Sequence, residues 1–238
     1  MQLSFVASTS VDIAGRLPIA RWLKSTLRGN RAERQTMQSA IPQSQTGSGS
    51  TSWYRITSGE ASRGAWFLDD PIDENAIVMD PRRYTEGRNA ESPRPAYLPI
   101  YRNGYAASFS MGSFDIPVVS CAVAETLRQY CPDSLQLLPV LIPEQRDIYY
   151  IANFLDLLDC VDEERTKVNR WELGDGRDDR IGEYRVLMDI TLCQRVCEGH
   201  HAFRIRGWEI CLVVSDRLRN ALLQHDNLAI GFNPIPAR

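Results

Sequence analysis

Two stretches of this chain repeat one pattern. VVSCAVAETLRQYCPDSLQLLPV starts at Val118 and VVSDRLRNALLQHDNLAIGFNPI at Val213, and they align without a gap at an offset of 95 residues, sharing Val-Val-Ser, one Leu, one Gln and one Pro. In each, a β-branched pair (Val118 and Val119, or Val213 and Val214) ends a strand. The serine that follows, Ser120 or Ser215, is placed to accept a hydrogen bond from a free amide in the first turn of a helix. A helix of about ten residues should come next, with an apolar stripe at spacings of four and three. Val123, Leu127 and Tyr130 supply it in the first copy, and Leu218, Leu222 and His225 in the second. Alternation at Leu135 and Leu137, or Ile230 and Phe232, then predicts a strand that Pro139 or Pro234 ends. The shared positions are strand ends, caps and stripes, so the pair is a frame rather than a site. Its six identities fit duplication and shared physics equally.

The remaining segments are read around that frame. Residues 1–52 are rich in Ser, Gln, Thr and Arg, close with IPQSQTGSGSTS, and set Arg16, Arg21, Lys24, Arg28, Arg31 and Arg34 against Asp12 and Glu33. That composition predicts a poorly ordered basic arm and linker. Within it VDIAGRLPIARWLKSTLRG has the pattern of a short amphipathic helix broken near Pro18, and the Arg-rich, acid-poor start also resembles a transit peptide or a start upstream of Met37. From Trp53 onward WYRI, GAWFL and AIVM read as strands, and residues 80–111 as an irregular surface connection. Residues 149–161 read as one long central strand running into an acidic corner, WELGDGRDDR as a hairpin or loop tip, RVLMDI and AFRI as strands. The expected fold is one α+β domain over 53–238, its sheet mixed or mostly antiparallel, with two to four short helices.

Composition removes several function classes. No run of eighteen apolar residues exists, so no membrane-spanning helix is expected. The net charge is −3, and residues 144–184 hold twelve acids against six bases, a balance that repels phosphates and disfavours nucleic acid. Six cysteines without a signal peptide predict reduced, mostly buried thiols in a cytoplasmic protein. No P-loop, G-x-S-x-G or H-E-x-x-H occurs. Cys193, Cys197, His200 and His201 are four zinc-capable side chains within nine residues, which keeps a metal-dependent hydrolase or a zinc-stabilised binding module as the alternative reading. Four ligands so close cannot converge if a helix runs there into a strand, and no cofactor is expected.

The order YYIANFLDLLDCVDEERT, a strand ending in Asp189, HAFRI, and finally LVVSDRLRNALLQHDNLAIGFNPI resembles the bacterial polymorphic-toxin immunity protein family numbered eleven, over roughly residues 53–235. The resemblance implies a non-enzymatic protein that binds and neutralises a co-encoded toxin delivered between competing bacteria, and it carries no catalytic residues. The charge pattern suggests where such a toxin would sit. Asp156, Asp159, Asp162, Glu163 and Glu164 form the densest acidic feature, suited to a basic partner. The loop that follows adds Trp171, a hot-spot residue type, among Glu172, Asp175, Asp178 and Asp179. Two bland readings stand beside these: Asp159 and Asp162 as turn caps, and Trp171 folded back onto the sheet.

Overall fold

The computed structural model describes residues 51–91 and 96–238, so the expected arm lies outside the described residues up to residue 50. The described chain is α+β, with mostly antiparallel strands, three α-helices and short 3-10 turns. Both similar stretches fold as anticipated in outline. Strand β6 (Pro117–Ser120) leads into helix α1 (Cys121–Tyr130) and strand β7 (Leu135–Leu141); strand β13 (Trp208–Ser215) leads into helix α3 (Asp216–Leu222) and strand β14 (Gly231–Ile235). Ser120 Oγ accepts from the Val123 amide at 3.4 Å, and Ser215 Oγ from the Leu218 amide at 3.2 Å.

In neither unit are the two joined strands neighbours. Strand β8 (Tyr149–Phe154) pairs antiparallel with both β6 and β7, while β1 (Trp53–Thr57) pairs antiparallel with both β13 and β14. Each unit is thus a split crossover: two parallel strands joined through a helix, with a slot between them that an opposed strand fills. A further antiparallel strand extends each, β5 (Phe109–Met111) beside β6 and β12 (Ala202–Ile205) beside β13. Short parallel edge strands, β3 (Ala96–Tyr97) and β9 (Leu157–Leu158), complete two five-stranded sheets ordered β3-β7-β8-β6-β5 and β14-β1-β13-β12-β9. The 95-residue offset survives in the ladders. Ser120 faces Tyr149 as Ser215 faces Trp53, and Pro139 faces Tyr150 as Pro234 faces Tyr54.

Strand alternation sorts the side chains into three cores. Val119, Ala152 and Phe154 from the first sheet meet Ile56, Leu212 and Val214 from the second, together with Val123 and Leu127 of α1 and Leu218 and Leu222 of α3. The helices touch each other here, and Thr126 Oγ1 lies 2.8 Å from His225 Nε2. The outer face of the first sheet (Val118, Val140, Tyr149, Ile151) is covered by Trp66, Leu68, Tyr84 and Leu98, from the segment between β1 and β5. The outer face of the second (Trp53, Phe203, Ile205, Val213) is covered by Cys160, Tyr184, Leu187 and Cys197, from the segment between β8 and β12. Each frame strand therefore exits into an insertion that roofs the opposite sheet.

Four expectations need correction. AIVM is not a strand: Ala76 adopts φ 61°, and Ile77 and Val78 stand exposed beside a single bridge from Ile72 to Val78. The second helix has seven residues, so His225 falls beyond it. Neither proline ends its strand. Pro139 sits just before the two-residue pairing of β7 with β3 and Pro234 lies on an edge, positions where a missing amide hydrogen is tolerated. Finally, the long strand expected over 149–161 breaks after Phe154, where the chain leaves one sheet and enters the other as β9.

Two outcomes are expected from this packing. Trp53 is 1% exposed, meets Phe203 edge-on at 5.2 Å and donates to Gln194 Oε1 at 3.2 Å. Trp53→Ala should cost about 3–5 kcal/mol in urea unfolding. His201 Nδ1 lies 2.9 Å from the capping Ser215 Oγ, and burial, with the Arg217 charge beside it, holds the ring's pKa below its ordinary value. The folded state thus binds fewer protons than the unfolded chain just below about pH 6.5, so this contribution is complete above that pH and is lost as pH falls through the depressed folded value. The urea midpoint of His201→Gln should fall less steeply with acidification than that of the wild type.

Candidate functional site

The acidic corner is where the chain passes between sheets. The Asp156 carbonyl accepts from the Arg204 amide at 2.9 Å, and its carboxylate accepts from His200 Nδ1 at 2.6 Å, so Asp156 is engaged on both sides. Asp159 is exposed. Asp162 organises a turn: its side chain accepts from the Glu164 amide at 3.1 Å and Arg165 Nη1 at 2.6 Å, and its carbonyl from the Thr166 amide at 2.9 Å. Glu163 takes the Arg170 guanidinium and the Tyr184 hydroxyl, the latter at 2.7 Å, and so fastens the corner to the segment beyond. Burial first, then this carboxylate, push the Tyr184 phenol up to about 12.

That segment is an antiparallel hairpin of β10 (Lys167–Arg170) and β11 (Tyr184–Met188). Val168 and Leu187 face the third core while Asn169, Val186 and Met188 face outward, the alternation that lets a ribbon sit on a sheet by one side. Backbone bonds from Trp171 to Glu183 at 3.0 Å and from Gly182 to Trp171 at 2.9 Å carry the pairing past β10 into the tip. Trp171 is half-buried with the Arg185 guanidinium 4.9 Å over its ring. Asp175 accepts from the Glu172 amide at 3.0 Å and from Arg185 Nη1 at 2.8 Å, which hold its carboxyl below the usual range. Asp179 binds Arg177 through two bonds of 2.9 Å, which lowers it too.

The acids are therefore far less available than their number implies. Asp162, Glu163, Asp175, Asp179, Glu183 and Asp189 each pair with an arginine or lysine of the same segment. Among the described residues, no cation lies within ion-pair distance of Asp159, Glu164, Glu172 or Asp178. Composition did not reveal this, because pairing depends on which strands face each other. It also did not reveal Leu173, 84% exposed, nor Ile181, 50% exposed, at the tip. The i, i+1 run of acids and Trp171 drew attention away from a leucine that helix or strand periodicity had no place for.

The Cys and His constellation is divided among different partners. Cys197 is buried against Cys160 in the third core and Cys193 is half-buried, while His200 pairs with Asp156 and His201 with Ser215. Among the described residues no group of three or more His, Cys, Asp or Glu is arranged to hold a metal ion. No disulfide joins the six cysteines, of which Cys131, Cys160, Cys197 and Cys211 are buried. A cleft of about 360 Å³ between the insertion and β5 is lined by Trp66, Phe67, Tyr101, Arg102 and three serines. Another of about 400 Å³ runs beside β1 and β14. Neither is lined by a carboxylate, histidine or cysteine. No described helix is long and apolar enough to cross a membrane.

No curated protein matches the chain. A family model described as Immunity protein family (Imm11) matches residues 66–237, beginning later than the 53–235 span of the sequence resemblance and ending just beyond it. The match contains every strand from β2 (Phe67–Leu68) to β14, both cap serines, the acidic corner and the hairpin, and leaves out β1. With so much of the frame and both insertions inside it, the chain belongs to the Immunity protein family (Imm11), a membership that supports an immunity function and a non-enzymatic role.

Proposed function

We propose that the protein protects its producer in the cytoplasm by binding a co-encoded toxin, the C-terminal domain of a large secreted protein used against competing bacteria, and covering the toxin's working surface. The binding unit is residues 53–238, with residues 1–52 an arm outside it. The observation that carries the reading is the hairpin within a family-matched insertion. Its tip stands clear, since a Cβ added at Gly174, Gly176 or Gly182 would meet nothing within 4 Å. Its base is fixed to the third core through Tyr184 and Leu187. A rigidly based, outward tip loses little conformational entropy on binding, which favours occlusion of a concave surface.

Glu164, Glu172 and Asp178 then supply the field that speeds encounter with a basic partner, while the paired acids hold the hairpin in shape. Asp156, Asp159, Asp162, Glu163, Asp175 and Asp179 belong to the same surface, with Trp171 supporting it from below.

The neighbouring gene should encode the toxin, and co-expression should rescue a host that the toxin domain alone kills. Failure of rescue with both proteins present in the soluble fraction would sink the reading. Glu164→Lys combined with Glu172→Lys and Asp178→Lys breaks no internal pair. This variant should slow association at least about tenfold at low salt, a difference that shrinks as ionic strength rises. An unchanged association rate would move the encounter surface off the hairpin.

A further inference from the structure

The sharpest feature of the tip is apolar. Leu173 occupies the second position of the turn Glu172–Asp175, closed by the Asp175 amide on the Glu172 carbonyl at 3.2 Å, and Gly174 at the third position has φ +96°. A positive φ there is what such a turn requires and what glycine supplies without strain. The turn is locked from outside its own backbone as well. Asp175 accepts from the Glu172 amide at 3.0 Å and from Arg185 Nη1 at 2.8 Å, and the same guanidinium lies 4.9 Å over the Trp171 ring. Trp171, Arg185 and Asp175 form a clamp whose product is one leucine held at the crest, 84% exposed.

Nothing in the fold of this chain requires that leucine. It lies outside all three cores, and the residues from Glu172 to Asp179 are exposed throughout. A polar residue would satisfy the turn equally, whereas an apolar side chain held out on a pre-set turn offers area to bury at little cost in conformational entropy. Its surroundings state the partner's chemistry. Glu172 precedes it directly, Asp178 follows five residues on in the same exposed tip, and among the described residues neither has a cation within ion-pair distance.

We propose that Leu173 is the affinity anchor of the toxin complex, inserted into an apolar socket whose rim carries cations, and that Trp171, Arg185 and Asp175 are positioning residues that hold it there. This rests on the immunity reading and refines it. The carboxylates set how fast the partners meet, and the leucine sets how long they stay together. Trp171, which the sequence pattern marks as the anchor, acts through the clamp.

The test uses the purified protein and the purified C-terminal domain of the secreted protein encoded beside its gene, with affinity measured by titration calorimetry at low and high salt. Leu173→Ala and Leu173→Asp change an exposed side chain, so both should fold as the wild type does. Leu173→Ala should weaken the complex about 10- to 100-fold, the loss expected for one buried leucine side chain, and equally at both salt concentrations. Leu173→Asp should weaken it further. Asp175→Ala should also weaken binding, yet add nothing in the Leu173→Ala background, because the clamp works only through the leucine. Wild-type binding with Leu173→Ala and Leu173→Asp within twofold of it overturns the anchor. Additive losses overturn the positioning role. Absence of wild-type binding overturns the immunity reading, and this refinement with it.

Discussion

Each half of the fold is governed by a slot. A crossover that runs strand, capped helix, strand and leaves a gap between its two parallel strands exposes unpaired amides and carbonyls on both inner edges. A strand inserted between them satisfies both, and in each unit an antiparallel one does. In the first unit the next strand, β8, turns straight back into the gap. In the second unit the slot is filled by β1, from the other end of the described chain. The C-terminal crossover is therefore incomplete until Trp53–Thr57 arrives. Trp53 marks the closure, packing on Phe203 and bonded to Gln194.

The units also differ at one equivalent position. Met111 of β5 faces Pro117, and Arg204 of β12 faces Leu212, 95 residues later. Both point inward, but one is apolar and the other a guanidinium with no solvent exposure. Burial pushes Arg204 down to about 10, so it remains charged at neutral pH. Removing such a charge from water is costly unless its donors are met. Here Nη1 donates to the Glu209 carbonyl and Nη2 to that of Asp115 at 3.2 Å, while the buried Nε has no partner among the described residues. To offer that carbonyl, Phe114 and Asp115 adopt φ of 52° and 55°, a left-handed pair that costs about 1–2 kcal/mol per residue and persists only where surroundings enforce it. Arg82 stacked 4.4 Å over Phe114 is part of that enforcement. The pseudosymmetric frame thus carries one asymmetric charge-assisted hydrogen bond, from the second sheet to the turn between β5 and β6.

Much of this was legible in the residues, and the losses have physical causes. The cap serines, the apolar stripes of α1 and α3, and the α+β class follow from local chemistry, and local chemistry decided them. What failed depends on the far side of a pairing. Pro139 and Pro234 look like strand ends until their neighbours are known. From Tyr149 to Leu155 the chain is apolar apart from Asn153, and nothing local tells it to leave its sheet after Phe154. The same limit applied at the site. Counting acids located the hairpin but overstated its field, because Arg165, Lys167, Arg170, Arg177, Arg180 and Arg185 answer them across turns and strands.

The two insertions roof equivalent sheets, yet only one is built to reach outward. The first is drawn in tightly. Asn153 Nδ2 donates to the Arg88 carbonyl at 2.8 Å, and Gln136 exchanges bonds with the Ala90 backbone at 2.9 and 3.0 Å. A Cβ on Gly104 would fall 2.3 Å from the Ala65 backbone, and one on Gly87 2.8 Å from Leu157, so even a methyl group is excluded there. The second insertion uses its glycines in the opposite way, to bend a tip that touches nothing. A side chain added at Gly87 or Gly104 disturbs packed neighbours, whereas a change at Glu172, Leu173 or Asp178 meets solvent and costs typically under 0.5 kcal/mol. The second insertion is therefore the place where a new partner can be accommodated without refolding the frame, and the separation of the Trp171, Arg185 and Asp175 clamp from the exposed Leu173 confines that freedom to the crest.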